Sequence, residues 1–434
     1  MSRTERRVLE PSLSIESAAG ARDTDSGSRP LPCHNGGRVT APRSERAQLA
    51  LDTIRGKPTV GIPTKAVNVM EHRMIDRIAG VPEGTYVEQP EPTYRRMLIN
   101  AGCCLVDQYI PENPLSMGRY GYERDKEPLV AGVNAAEVRV DGMLIDSPEA
   151  VAAHVEFVCI PRLREQVRSF DQQDCVRTIL DREAAIQAQL GPTMLKSGYS
   201  SVHFPTLDYG RYGYEAYFIA YALYPDVIER LFAAQADLAL LQNTAALRAI
   251  REGGLPPLVR LDHDMADGRG TLVDIRSLDR LWFPHFTRCL APLLESEVKL
   301  IWHCDGNLSQ MVPRLLDVGL KGFQGFQYED GMDYEAICRM RTRDGEPLLI
   351  IAGVSVTRTL PMGTPDDVRR EMRWLVDHGP PTGLILGASS SITPGVPWRN
   401  LEALIEGFDY YRTRGRGRAA EARNRPGRTH LKGQ

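Results

Sequence analysis

Polar residues follow each of five short apolar runs in the second half of the chain, and at four of the five ends they are clear donors, acceptors or metal ligands. "PPLVRL" is followed by Asp262, His263 and Asp264, and "VKLIW" by His303, Cys304 and Asp305. "KGFQGF" leads to Gln327, Glu329 and Asp330, "PLLIIAG" to Ser355 and Thr357, and "GLILGA" to Ser389, Ser390 and Ser391. Carboxylates and imidazoles are the groups that ligate divalent cations or serve as general acid and base. Crowding like charges on one rim is costly, because each raises the pKa of the next. A purely structural protein gains nothing from that cost, so the pattern points to an enzyme.

Side chains alternate along an extended backbone, which keeps His303 and Asp305 together and turns Cys304 toward a core. The same rule turns His263 away from Asp262 and Asp264, either of which could instead cap the loop before Gly268. His285, in "WFPHF", reads as a packed or surface histidine of a helix. His203 and the tyrosines of "DYGRYGYEAY", Tyr212 among them, are candidates for a pocket mouth or for plain packing.

The elements that must position these residues alternate regularly. Each of the five apolar runs precedes a segment with apolar residues at helical spacing. The segment "TPDDVRREMRWLVDHG" is the clearest: Thr364 caps it, Pro365 fills the first turn and Gly379 ends it. Three further strand candidates precede these: "PTVGIP" (58–63), "CCLVDQYI" (103–110) and "PTMLKSGY" (192–199). Long helical patterns fill about 147–190 and 213–251. Eight strands separated by helices are the count of an α/β (β/α)8 TIM barrel, whose active site lies at the carboxyl ends of the strands. A doubly wound open sheet is the runner-up, since strand order is not legible in sequence. No Gly-x-Gly-x-x-Gly follows a strand and there is no Walker A loop.

Composition narrows the class. Among 434 residues, 25% are charged and the net charge is −3, so no global field favours nucleic acid or a membrane surface. No apolar stretch reaches the length of a membrane span, and the start lacks a secretory h-region. Eight cysteines without a CxxC spacing make no disulfide framework and fit a reducing cytoplasm. Residues 1–45, rich in Ser, Arg, Gly and Pro, are expected to be a disordered tail. Residues 46–412 are expected to form one barrel domain with additional N-terminal helices, and 413–434 a basic, solvated tail.

Three blocks carry a family resemblance: "WHCDGN", "GTPDDV" and "ITPGVPWRN". Together they resemble the uroporphyrinogen decarboxylase superfamily, nearer its branch of corrinoid- and thiol-linked methyltransferases, well over about 255–412 and more loosely over about 46–254. The resemblance implies a (β/α)8 barrel and methyl-group transfer on a small substrate, with a corrinoid supplied by a partner protein or as a free cofactor. The amino-terminal arginine stretch of the true decarboxylases is not found, nor is their histidine near the last strand. In the methyltransferase branch, zinc is held by a His-x-Cys pair, a second cysteine and sometimes a glutamate. Carried over, His303 matches the histidine, Asp305 stands at the first cysteine, Glu329 lies near the glutamate, and one of Ser389 to Ser391 replaces the second cysteine.

Such a set is harder than a thiolate site and admits zinc, iron, manganese or magnesium. The alternative is no metal, with Asp305, Glu329 and Asp264 as catalytic acids or bases. Asn307, Gln327, Ser390 and Tyr212 are the candidates to bind substrate. Two other functions stay open: a cofactor-independent decarboxylase of a carboxylated substrate, and a catalytically silent scaffold on the same barrel.

Overall fold

Continuous apolar runs make strands that are buried on both faces, as in parallel sheets covered by helices. The computed structural model describes residues 42–65, 68–112 and 138–416, and the strands in it follow those runs closely. They are β1 (Leu105–Val106), β2 (Leu195–Lys196), β3 (Gly198–Tyr199), β4 (Leu258–Asp262), β5 (Lys299–His303), β6 (Gly322–Gln324), β7 (Leu349–Val354) and β8 (Leu384–Ala388). Six of them form a curled parallel sheet, a half-barrel, in the order β8-β7-β6-β5-β4-β3. β1 pairs in parallel with β2, which only Ser197 separates from β3. Isolated parallel bridges join Thr64 to Leu386 and Lys65 to Leu105. The run 58–63 is therefore not itself a strand, and pairing begins at Thr64. Pro58 and Pro63 have no N–H to give a ladder.

Alternation sorts the sheet into two cores. Leu105, Leu195, Leu258, Ile301, Leu349, Ile351 and Ile385 pack together on the concave side, closed by Ala50, Leu51 and Ile54 of helix α1 (Glu45–Ile54). Val259, Leu261, Trp302, Phe323, Ile350 and Leu386 face outward into the layer of helices. That layer includes α2 (Gln172–Leu190), α3 (Pro225–Gly253), α4 (Phe283–Leu294), α5 (Pro365–His378) and α6 (Trp398–Arg414). α5 begins with the capping box of Thr364 and Asp367, its cap residue as the sequence requires.

Three features were not expected: a hairpin of Val138–Val140 and Met143–Ile145, whose Asp141–Gly142 turn is legible in the sequence, a π-helical turn at Val155–Cys159, and a hairpin of Ala266–Asp267 and Gly270–Thr271. α6 runs to Arg414, two residues past the expected domain end. Most of both terminal tails lies outside the described residues. No helix among the described residues is long and apolar enough to cross a membrane, and the seven described cysteines are free thiols.

Candidate functional site

The sheet register brings the strand ends together. Asp262 on β4 pairs with His303 on β5, and His303 with Gln324 on β6. His303 and Asp305 are both 7% exposed. The His303 Nδ1 lies 3.1 Å from the Gln324 carbonyl oxygen, which can only accept, so Nδ1 carries the proton. In the neutral ring Nε2 then keeps its lone pair, 4.0 Å from the Asp305 Oδ1. The loop after β5 is pinned from the loop after β4: the Asp305 N–H donates to the Asp264 Oδ1 at 2.8 Å and the Asn307 N–H to the Asp267 carbonyl at 2.8 Å. Gly306 sits between them at φ +86°, where a Cβ would meet the Asp267 backbone at 2.7 Å. The Gly306 N–H donates to the Gln327 Oε1 at 2.6 Å, and the Ser390 hydroxyl donates to the Asp305 Oδ2 at 3.3 Å.

Asp264, His303 and Asp305 each bring one donor atom to a common point, all within 4.8 Å of one another. The Asp305 Oδ1 is buried and accepts no hydrogen bond. Burial pushes the Asp305 carboxyl up to about 6; the charge of His303 opposes this, and Asp264 and Asp262 add to it. An orphaned buried carboxylate oxygen, a neighbouring carboxylate and an imidazole lone pair fit a divalent cation with nitrogen and oxygen ligands. A thiolate site does not fit: the Cys304 Sγ faces the core and accepts from the Met265 N–H at 3.3 Å.

Glu329 does not join this trio. Its Oε1 accepts from the Ser355 hydroxyl at 2.5 Å and the Thr357 hydroxyl at 2.5 Å, in a cluster at the end of β7. Glu371 of α5 stands at the same cluster, accepting from the Ser355 N–H at 2.7 Å, and burial pushes its carboxyl up to about 7. The Asn307 side chain is taken up locally, its Oδ1 accepting from the Ser309 hydroxyl at 2.6 Å. Tyr212 lies elsewhere: it is 1% exposed and its hydroxyl is 2.9 Å from the His154 Nδ1. From the same tyrosine cluster it is Tyr209 that reaches the site, donating to the Asp264 carbonyl at 2.9 Å. His263 faces away, its Nε2 accepting from the Leu207 N–H at 2.9 Å.

Below the trio lies a charged group that sequence reading missed. Arg260 bridges Asp107 and Asp262 at 2.5 Å each, and Lys65 meets Asp107 at 3.2 Å. Tyr199 donates to Asp262 at 3.1 Å, and the Arg260 guanidinium stacks over its ring. Burial would raise the Asp262 carboxyl, but Arg260 and then His303 outweigh it and hold it below the usual range. Two cations and two carboxylates cancel, so the network leaves no charge over to grip an anion. The available signals were Arg260, a charge in the middle of the apolar "LVRL", and Asp107 within "CCLVDQYI".

No protein-family profile and no curated protein sequence matches the chain. Among solved structures, it is similar to a methyltransferase from Methanosarcina mazei, with a TM-score of 0.53 at 15% identity, over 84% of this chain and 98% of that one. A B12-independent methionine synthase from Shewanella sp. W3-18-1 aligns over 43% of this chain and 56% of that one, at 13% identity and a TM-score of 0.30, too weakly to carry an argument. At 15% identity the first likeness speaks for the fold alone: the chain folds like that methyltransferase.

Proposed function

We propose that this chain is a methyl-transferring enzyme of the uroporphyrinogen decarboxylase superfamily, acting on a small substrate at the carboxyl ends of a complete (β/α)8 barrel. In this reading the short segment at Thr64 and Lys65 is the first strand, and its two bridges close the ring between β8 and β1. One observation carries the assignment of the site: Asp264, His303 and Asp305 converge within 4.8 Å around a buried carboxylate oxygen that has no partner.

Those three residues would hold a divalent metal, and such an ion supplies a Lewis acid that makes a nucleophile's proton easier to lose. Nε2 of His303 is presented by the bond of Nδ1 to Gln324. Ser390 orients Asp305 through Oδ2 and leaves Oδ1 to face inward. The neutral network of Lys65, Asp107, Arg260 and Asp262 forms the floor and fixes Asp262 against His303. Glu329 and Glu371, apart from the trio, are placed to hold or move a proton at the rim. The corrinoid that the resemblance implies would arrive on a partner protein or free.

The experiment is metal analysis of protein purified without an affinity tag, together with the visible absorbance of methylcobalamin on mixing. About one equivalent of a divalent metal per chain, lost in His303→Ala, supports the reading, as does demethylation of the cobalamin in the presence of a thiol. No metal in the wild type and no spectral change would overturn it.

A further inference from the structure

Away from the barrel mouth, the hairpin at 138–145, the helical stretch that follows it and the turn Tyr209–Tyr212 bring a second set of reactive side chains together. At its centre is Cys159. In an α-helix, residues five apart point to different faces. The π-helical turn Val155–Cys159 widens the helix there, and this brings the Cys159 Sγ to 3.5 Å from the His154 Nδ1. The Tyr212 hydroxyl lies between them, 3.3 Å from the sulfur and 2.9 Å from Nδ1. The His154 Nε2 is 3.1 Å from the Asp141 carboxylate. Arg211 reaches both ends, with Nη1 3.5 Å from the Cys159 sulfur and Nη2 2.8 Å from Asp141. Arg162 also pairs with Asp141, at 3.1 Å.

These contacts fix a direction for the proton. Asp141 accepts, so the His154 Nε2 carries a hydrogen and Nδ1 is the acceptor. The Tyr212 hydroxyl donates to Nδ1, and the thiol of Cys159 can donate to the Tyr212 oxygen. Moving the Cys159 proton along this chain leaves a thiolate against the Arg211 guanidinium and an imidazolium against Asp141. Arg211 is the cation that a thiolate formed there would meet, with Nη1 3.5 Å from the sulfur. His154 is fully buried and Cys159 is 5% exposed, whereas Arg211, Arg162 and Asp141 reach solvent above them.

We propose that Cys159 is a modification site for hydrogen peroxide, with His154, Tyr212 and Asp141 as its proton relay and Arg211 as the charge that holds the thiolate. The thiolate sulfur attacks one peroxide oxygen, forming an S–O bond as the O–O bond breaks. Sulfur is oxidised by two electrons and the peroxide is reduced. The departing hydroxide takes the proton held on His154 and leaves as water, and Cys159 becomes a sulfenic acid.

The test exposes the full chain briefly to hydrogen peroxide, quenches with catalase, then unfolds it in dimedone and iodoacetamide and locates the adducts by peptide mass. Cys159 should carry dimedone ahead of every other cysteine. Its oxidation should slow about tenfold in Arg211→Gln and in His154→Gln, which remove the cation beside the sulfur and the imidazole that takes its proton. If His154→Gln proves unfolded by circular dichroism, Arg211→Gln decides the matter, because that side chain is solvent-facing. Oxidation of the more exposed Cys175 ahead of Cys159, or an unchanged rate in Arg211→Gln, would overturn the proposal.

Discussion

Replacing Asp107 by Asn should unfold this protein more readily than almost any other single polar change. The side chains of Lys65, Asp107 and Arg260 are each 5–6% exposed, and Asp107 is the carboxylate that both cations share. An amide in its place leaves Lys65 and Arg260 with Asp262 alone. A buried ion pair broken from one side typically costs about 3–5 kcal/mol. The whole stability of such a domain is roughly 5–15 kcal/mol. Urea unfolding at neutral pH, followed by far-UV circular dichroism, should show the midpoint falling with an unchanged slope.

Removing the stranded ammonium as well, in Asp107→Asn with Lys65→Met, should return on the order of 1–3 kcal/mol, the coupling expected of residues in contact. Acid limbs should differ too. Burial would raise the Asp107 carboxyl, but the charges of Arg260 and Lys65 outweigh it and hold it well below the usual range. A folded pKa that is depressed contributes stability above about pH 4, lost as the pH falls further, so the variant should show a flatter acid limb. A loss under about 1 kcal/mol, or no recovery in the double variant, would refute the view that these four charges form one balanced unit.

Three further outcomes test the site. The Asp305 carboxyl is pushed up to about 6 by burial, so stability is lost as the pH rises from its unfolded value of about 4 to that point. In metal-free protein, Asp305→Asn should therefore melt higher than wild type at pH 8, by on the order of 2–3 kcal/mol, with the gain gone below about pH 4; lower melting at pH 8 would contradict this. Gly325→Ala places a Cβ 2.5 Å from the His303 Nδ1 at φ +76°, and thermal melts should show a cost of about 1–3 kcal/mol together with loss of bound metal. Glu329→Gln should keep its metal in elemental analysis where His303→Ala loses it, because Ser355 and Thr357 hold Glu329 outside the trio; equal loss in both would place Glu329 at the ion after all.

Much of this was legible in the residues themselves. The runs that become β4 to β8 are apolar on both faces, and Thr364, Pro365 and Gly379 mark the ends of α5 in the chain order alone. Alternation placed His303 with Asp305 and turned Cys304 and His263 away, and the hydrogen bonds of both residues agree. These are local rules, fixed by the pleat and by helix capping within a few residues.

Partner choice across the sheet is not local. Asp264 enters the trio through its bond to the Asp305 N–H, 41 residues away, and Glu329 leaves it for the hydroxyls of Ser355 and Thr357. Tyr212, one helical turn from Tyr209, goes to His154 while Tyr209 goes to the site. Arg260 finds Asp107 across 153 residues. The sequence determined which residues end the strands and which face they show. Only the tertiary fold decided which of them meet, because the register between parallel strands is set by long crossover helices and by the packing of both cores, and no spacing along the chain encodes it.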